Sequence, residues 1–330
     1  MNIKEILWKA AQDGTGALPI LSFPATGRIG ATVEELVKDS EIQARAMVFL
    51  ANETDTLAAV SPMDLSVEAE AFGARVRFFN DDVPAVYGAL VTDEDEAKAI
   101  TIPDLRKGRI QTSLEGIRLA KERIQNKPVL AGMIGPFSLA GRLMDVTEIM
   151  YTCVDDPETV SIVLEKTTQF LISYAKAFRE AGADGIVMAE PLAGILSPDM
   201  AKCFSHGYVK KIVDEIQKDD FSILYHNCGN ATPHMLDDIF EIGAEAYHFG
   251  NAVDMVEILK NAPKSVICMG NIDPVGQFVQ GTPESMSKAV MKLKALCKSY
   301  KNFILSSGCD IPTTAKWENI DAFFSAAKEK

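Results

Sequence analysis

Short apolar runs of strand length recur along the chain, and stretches of helix length separate them. Most of these runs are apolar at successive positions and are bounded by Gly, Pro or Asn, which is typical of strands buried in a parallel sheet. The pattern predicts eight strands, at Pro19-Phe23, Ala58-Pro62, Pro128-Gly135, Gly185-Glu190, Ser222-His226, Ala246-Phe249, Ser265-Gly270 and Phe303-Ser307.

The segments between these runs have the periodicity of amphipathic helices. In one such segment, from Asp156 to Ala181, apolar residues recur at helical spacing behind Pro157, and Gly182 follows as a stop signal. A similar junction, in which Gly ends a helix shortly before a strand, occurs again at Gly243. The chain therefore alternates between strand and helix.

Eight alternating units in 330 residues predict an α/β fold, most simply a (β/α)8 TIM barrel with its active site at the carboxyl ends of the strands. An open doubly wound sheet is the alternative. No linker, charge block or low-complexity tract interrupts the sequence. We therefore expect a single domain over residues 1–330.

The composition is that of a globular protein, with 47% hydrophobic and 24% charged residues. The net charge of -13 disfavours binding to nucleic acid and to anionic membranes. The start of the chain lacks the apolar run of a secretory signal, and the most apolar stretch, Pro128 to Gly141, is too short to cross a bilayer. These features predict a cytoplasmic protein.

Polar residues cluster where five of the predicted strands end. They are Asp64, Glu190, His226, Cys228, Asn271, Asp273, Cys309 and Asp310. In a barrel these positions meet at one rim, which is where such folds carry their chemistry. The chain lacks the glycine-rich dinucleotide motif, the P-loop motif and the nucleophile-elbow motif, so three common enzyme classes lose their main support.

Three of these residues suggest a metal site. His226 and Cys228 lie two apart as the fifth strand ends, and Cys309 follows the eighth strand, 81 residues after Cys228. One imidazole and two thiolates suit a zinc ion, and three protein ligands leave a position open for water or substrate. The alternative is that these are buried residues without a metal, since Cys is often buried inertly. His248 could line the same site. The remaining cysteines are interpreted as packing residues rather than as a disulfide framework.

These residues resemble those of the uroporphyrinogen decarboxylase superfamily, and more closely those of its methylcobamide:coenzyme M methyltransferase branch. The resemblance runs over nearly the whole chain, and the H-x-C motif followed late by S-S-G-C is its most specific part. The matching segments are 64–73, 135–141, 226–230, 270–274 and 305–312.

The resemblance implies a (β/α)8 barrel that holds a zinc ion through His226, Cys228 and Cys309. It further implies that a zinc-bound thiolate, most simply that of coenzyme M, takes the methyl group of a methylcobamide carried by a separate corrinoid protein. We expect Glu190 and Asp64 to be catalytic, with Glu190 acting as a fourth ligand, a thiol-orienting group or a proton acceptor. Asn271, Asp273 and Arg28 are expected to contact the substrates.

Two other functions remain open at this point. A metal-independent uroporphyrinogen decarboxylase would use an R-Q-A-G-R segment, where this chain has Pro24 to Arg28 and lacks the first arginine, and it would use Asp64. A module that binds a corrinoid protein without catalysis is the other alternative. The acceptor of a methyltransferase could also be another thiol or a folate.

Overall fold

The computed structural model describes residues 2–329. The strands are β1 (Ala59–Val60), β2 (Arg75–Arg77), β3 (Ala85–Tyr87), β4 (Val129–Ile134), β5 (Gly185–Ala189), β6 (Ser222–Asn227), β7 (Ala246–Phe249), β8 (Ile267–Ile272) and β9 (Phe303–Ser307). One sheet contains seven of them in the order β1-β4-β5-β6-β7-β8-β9, and each neighbouring pair is parallel. The predicted α/β fold with a parallel sheet is confirmed.

Helices connect the strands and cover the sheet. They are α1 (Ile3–Asp13), α2 (Thr26–Ile29), α3 (Val33–Lys38), α4 (Ser40–Glu53), α5 (Val67–Phe72), α6 (Glu94–Ala99), α7 (Gly108–Arg123), α8 (Pro136–Met144), α9 (Val146–Asp155), α10 (Pro157–Glu180), α11 (Pro198–Ala201), α12 (Gly207–Ile216), α13 (Leu236–Phe240), α14 (Met255–Asn261), α15 (Pro283–Cys297) and α16 (Trp317–Lys328). Within residues 2–329, no helix has the length and apolar character needed to cross a membrane.

The predicted strand at Pro19-Phe23 is not a strand in the structure. Pro19 has no backbone N–H, and the isolated bridges nearby belong to Ala17, which pairs with Thr56 and with Leu305. Within the segment, the carbonyl of Ile20 accepts from the amide of Ile311 at 3.0 Å. The amide of Leu18 donates to the carbonyl of Leu305 at 3.0 Å. This segment therefore lies between the two edges of the seven-stranded sheet.

Two apolar clusters stabilise the fold. The larger one lies on one face of the sheet and contains strand residues such as Ile186 and Tyr225, together with the buried faces of most helices. The smaller one lies on the other face of the sheet and contains Val187 and Leu224, with Ile3 and other residues of α1 packed against it. Because strand residues alternate between faces, the sheet is apolar on both sides.

The antiparallel pair β2–β3 was not anticipated from the pattern. Each strand has only three residues, of which the middle one alone is half-buried, so neither is long enough to stand out as a buried strand in the sequence. The guanidinium groups of Arg75 and Arg77 lie 4.9 and 5.4 Å from the ring centroid of Tyr87, and these cation–π contacts bridge the two strands.

Substitution of a buried core residue should be costly. Leu171 on α10 is fully buried, and Leu171→Ala should lower the free energy of unfolding by roughly 2–5 kcal/mol, because it removes apolar contacts and leaves a cavity. Leu296 on α15 is 54% exposed, and Leu296→Ala should cost less than about 1 kcal/mol. Urea denaturation followed by circular dichroism measures the free energy of unfolding of both variants. Equal losses in Leu171→Ala and Leu296→Ala would contradict the packing described.

Candidate metal centre

The parallel register brings most of the predicted functional residues to one edge of the sheet. His226 on β6 is paired with Ala189 on β5 and with His248 on β7, while Ser306 on β9 is paired with Asn271 on β8. The carboxyl ends of β5 to β9 are therefore neighbours, and the loops that follow them start from a common rim.

His226, Cys228 and Cys309 converge at this rim. One ligand atom from each residue lies within 4.8 Å of the others, and the Sγ atom of Cys309 is 3.5 Å from Nε2 of His226. The imidazole is almost fully buried, whereas both cysteines are half-buried. The donor set is one nitrogen and two sulfurs, which is the chemistry that a zinc ion prefers.

The pKa values of Cys228 and Cys309 are shifted in opposite directions. A hydrogen bond with Cys309 lowers the pKa of Cys228 to about 7, although burial acts in the opposite direction. The same hydrogen bond, reinforced by burial, raises the pKa of Cys309 to about 12. In the metal-free chain the pair therefore shares a proton, and Cys228 is the member that becomes a thiolate more readily.

The loop that carries Cys228 is held by close backbone packing. The Oδ1 atom of Asn227 accepts hydrogen bonds from the amide of Gly229 and the hydroxyl of Thr232, both at 3.0 Å. A Cβ atom at Gly250 would lie 2.6 Å from the Cα atom of Cys228, so a larger residue there would displace the loop. These contacts fix where the Cys228 side chain leaves the backbone.

Glu190 lies at the end of β5, but its carboxylate caps a helix. Its Oε1 atom accepts from the amide of Phe137 at 2.8 Å and from the hydroxyl of Ser205 at 3.0 Å, and Oε2 accepts from the amide of Ser138 at 2.9 Å. These amides belong to the first turn of α8, where a negative charge is favourable. Burial raises the pKa of Glu190. The carboxylate is not one of the ligand atoms that converge with Cys309.

Asp64 forms a buried ion pair that the sequence analysis missed. Its Oδ2 atom pairs with the guanidinium of Arg109, which also donates to Glu70 at 2.5 Å, and its Oδ1 accepts from the hydroxyl of Ser66 at 2.6 Å. Arg109 lies on α7, 45 residues after Asp64, and stacks over the ring of Phe78. No local motif in the sequence announces such a distant partner.

The three residues predicted to contact substrates have other contacts here. The amide of Asn271 donates to the carbonyls of Gly250 and Val253 at 2.9 and 2.8 Å. The carboxylate of Asp273 accepts from two amides of the turn that follows β8. Arg28 is exposed on α2, and its guanidinium lies 5.1 Å from the ring centroid of Trp317.

A second arginine, Arg142 on α8, was not singled out from the sequence. It is half-buried and forms no hydrogen bond or ion pair with any residue in the described range. Burial lowers the pKa of its guanidinium, and the negative charges of Asp64 and Glu68 oppose this effect. It is therefore a cation without a direct counter-ion.

His248 lies beside the cluster, as its sequence position suggests, with its Nδ1 atom 2.7 Å from Nδ1 of His226. The other cysteines and histidines of the described residues do not join the cluster. Cys153, Cys268 and Cys297 are buried and free, as expected for packing residues, and burial raises their pKa values. Cys203 is exposed, and neither ring nitrogen of His206 forms a hydrogen bond with a described residue.

Comparisons with known proteins support one family. The family model for uroporphyrinogen decarboxylase (URO-D) matches residues 19–330. The chain is 28% identical over 340 residues to the methylcobamide:CoM methyltransferase MtbA of Methanosarcina acetivorans, covering 98% of this chain and 97% of that protein. It is 25% identical over 301 residues to a uroporphyrinogen decarboxylase of Neisseria meningitidis, covering 88% and 82%. The structure of a methyltransferase from Methanosarcina mazei has the same fold, with a TM-score of 0.86 at 24% identity over 99% and 98% of the two chains.

Glu68 is a buried carboxyl beside the Asp64 ion pair. Its Oε1 atom accepts from the amide of Ile134 at 3.1 Å, and Oε2 has no partner in the described structure. Burial raises its pKa from 4.5 to about 7. Between these two values the folded chain binds a proton that the unfolded chain releases, so this carboxyl destabilises the fold as the pH rises through that interval.

Glu68→Gln should therefore remove part of the pH dependence of stability. Between pH 5 and pH 8 the wild-type chain should lose on the order of 3 kcal/mol relative to the variant, since a pKa shift of one unit corresponds to about 1.4 kcal/mol. Urea denaturation at both pH values measures this difference. Glu318→Gln, at an exposed position on α16, controls for the loss of one negative charge. Parallel stability curves for wild type and Glu68→Gln would contradict the assignment.

Proposed function

The chain belongs to the uroporphyrinogen decarboxylase family, and within it we propose that the protein is a methyltransferase that moves a methyl group from a methylcobamide to a thiol. The observation that carries this proposal is the convergence of His226, Cys228 and Cys309. The similarity to MtbA over nearly the whole chain supports the same donor and acceptor. The methyl donor would reach the site on a separate corrinoid protein, and coenzyme M is the proposed acceptor.

A zinc ion is the metal that we propose for the three donor atoms. His226, Cys228 and Cys309 would hold it, and a half-buried position of both cysteines leaves one side of the cluster accessible. The ion would lower the pKa of a thiol that shares it, so that the thiol reacts as a thiolate at neutral pH. Two thiolates and a neutral imidazole would keep this sulfur electron-rich.

The transfer itself is a displacement in which the chain orients the reactants. The acceptor sulfur forms a bond to the methyl carbon while the carbon–cobalt bond breaks, and the electron pair of that bond stays on cobalt, which goes from Co(III) to Co(I). Before this step the acceptor thiol would give up its proton to a base, either the carboxylate of Glu190 or water. Glu190 and Asp64 are proposed to take part, Glu190 as a fourth ligand, a thiol-orienting group or a proton acceptor, and Asp64 through its position at the same rim.

We also propose that the sheet is closed into a (β/α)8 barrel and that residues 1–330 form one domain. The supporting contacts are the bridges of Ala17 to both Thr56 and Leu305, which join the two edges of the sheet. In such a barrel the segment that starts at residue 17 would take the place of the first of eight strands. A cytoplasmic location, where thiols stay reduced, fits the six free cysteines.

The decarboxylase alternative is less well supported. It would leave a cluster of one imidazole and two thiols without a function, and the first arginine of the decarboxylase clamp is replaced by Pro24. Turnover of free methylcobalamin with a thiol would also exclude a purely binding role.

A sulfonate on the acceptor carries a negative charge, so we expect polar groups, and at least one cation, to bind it. Arg28, Asn271 and Asp273 are the residues proposed from the sequence, and Arg142 is added because it is half-buried without a direct counter-ion. A charged hydrogen bond in such a setting is worth about 1.5–3 kcal/mol.

The zinc site predicts a stoichiometry. Reduced protein, purified without a metal-binding tag, should contain about one zinc per chain by elemental analysis, and Cys309→Ala and His226→Ala should lose it together with methyl transfer from methylcobalamin to coenzyme M. Cys203→Ala removes an exposed thiol outside the cluster and should retain both. Full zinc content in Cys309→Ala, or a folded wild type without metal, would contradict the proposal.

Acceptor recognition predicts a selective change in KM. At least one of Arg28→Gln and Arg142→Gln should raise the KM for coenzyme M by about tenfold, because the sulfonate loses a charged partner. The KM for 2-mercaptoethanol, which lacks the sulfonate, should stay unchanged in the same variant. Steady-state assays with both thiols test this, and unchanged values in both variants would exclude both arginines.

A further inference from the structure

His226, His248 and Ser306 lie on the face of the sheet that carries the smaller apolar cluster. Each follows by two positions an apolar residue of the smaller cluster, and residues two apart in a strand share a face. Those apolar residues are Leu224, Ala246 and Ile304. The three polar side chains are 2%, 2% and 0% exposed, so their polar atoms depend on partners within the protein.

The hydroxyl of Ser306 determines which nitrogen of His248 carries the proton. Its Oγ atom is 2.6 Å from the carbonyl oxygen of Leu18 and 2.7 Å from Nε2 of His248. A carbonyl oxygen only accepts, so the hydroxyl donates to Leu18. The Oγ atom is then left to accept from His248, which places the His248 proton on Nε2.

The same reasoning extends to His226. The Nδ1 atoms of His226 and His248 are 2.7 Å apart, so one of them must donate. With its proton on Nε2, neutral His248 offers only a lone pair at Nδ1. The Nδ1 atom of His226 is also 3.3 Å from the carbonyl oxygen of His248, which again only accepts. Both contacts place the His226 proton on Nδ1.

We propose that His248, held by Ser306, is a positioning residue that fixes the tautomer and orientation of His226. His226 Nε2 then keeps a lone pair directed towards Cys309, 3.5 Å away, which is the state needed to bind a metal. The inference rests on the proposed zinc site. A neutral imidazole as the acceptor orients His226 without adding negative charge beside two thiolates.

Paired substitutions at His248 separate its two contacts. An Asn side chain ends near the place of Nδ1 and can accept from His226, whereas a Gln side chain reaches the place of Nε2 and can only serve Ser306. His248→Gln should weaken zinc binding by roughly 10–100-fold, and His248→Asn should restore most of the affinity. Ser306→Ala should also weaken zinc binding, because without the hydroxyl either tautomer of His248 is allowed.

Chelator competition measures these affinities, and absorption of the cobalt-substituted protein reports on the ligand geometry. Ser307→Ala is the matched control, because it removes an equally buried hydroxyl that accepts from the amide of Ile20 at 3.1 Å outside this chain of contacts. It should leave affinity and spectrum unchanged. Equal affinities of His248→Gln, His248→Asn and wild type would overturn the proposal.

The tautomers can be read directly in the metal-free wild-type chain by long-range ¹⁵N–¹H NMR. The chain has four histidines, so single substitutions assign each ring. We expect the His226 proton on Nδ1 and the His248 proton on Nε2. A His226 proton on Nε2 would overturn the inference whatever the zinc content. If the wild type binds no zinc but shows the expected tautomers, the proposed zinc site fails while the tautomer assignment stands.

Discussion

The parallel register of β5 to β9 is the constraint on which the rest of the site depends. It aligns His226 with His248, and it aligns Ser306 with Asn271, so the carboxyl ends of these strands form one edge. A shift of one residue in β6 would turn His226 from the face of the smaller cluster to the face of the larger one. The apolar residues two positions earlier in these strands are what resist such a shift. Burial of the smaller cluster therefore also determines the position of His226, one of the proposed metal ligands.

The same edge attracts polar residues for a second reason, which is structural. Helices start just beyond the strand ends, and their first amides need acceptors. Glu190 satisfies two amides of α8, and Asp273 satisfies two amides of the turn after β8. A carboxylate at the rim can therefore serve the scaffold, the chemistry or both. The cluster of His226 with Cys228 and Cys309 differs, because thiols are poor caps and gain most from a metal.

The sequence could predict the features that leave a local pattern, and it could not predict those that depend on distant contacts. Seven strands followed from apolar runs, because burial on both faces leaves a local signal, and the convergence of Cys228 with Cys309 followed from the expected topology. The segment at residues 19–23 failed as a strand because Pro19 lacks a donor. The ion pair of Asp64 with Arg109, and the contact of Ser306 with His248, join residues 45 and 58 apart. Such pairings depend on tertiary packing and leave no pattern in either local segment.

Charge imposes a last requirement on the site. A net charge of -13 repels an anionic acceptor, so local cations have to offset it. The guanidinium of Arg109 is already shared between Asp64 and Glu70 and has little attraction left for a ligand. A metal held by two thiolates and a neutral imidazole carries no net positive charge and offers little attraction beyond direct coordination. Attraction of an anionic tail thus depends on arginines that lack a carboxylate partner, and their placement matters more than the total charge of the chain.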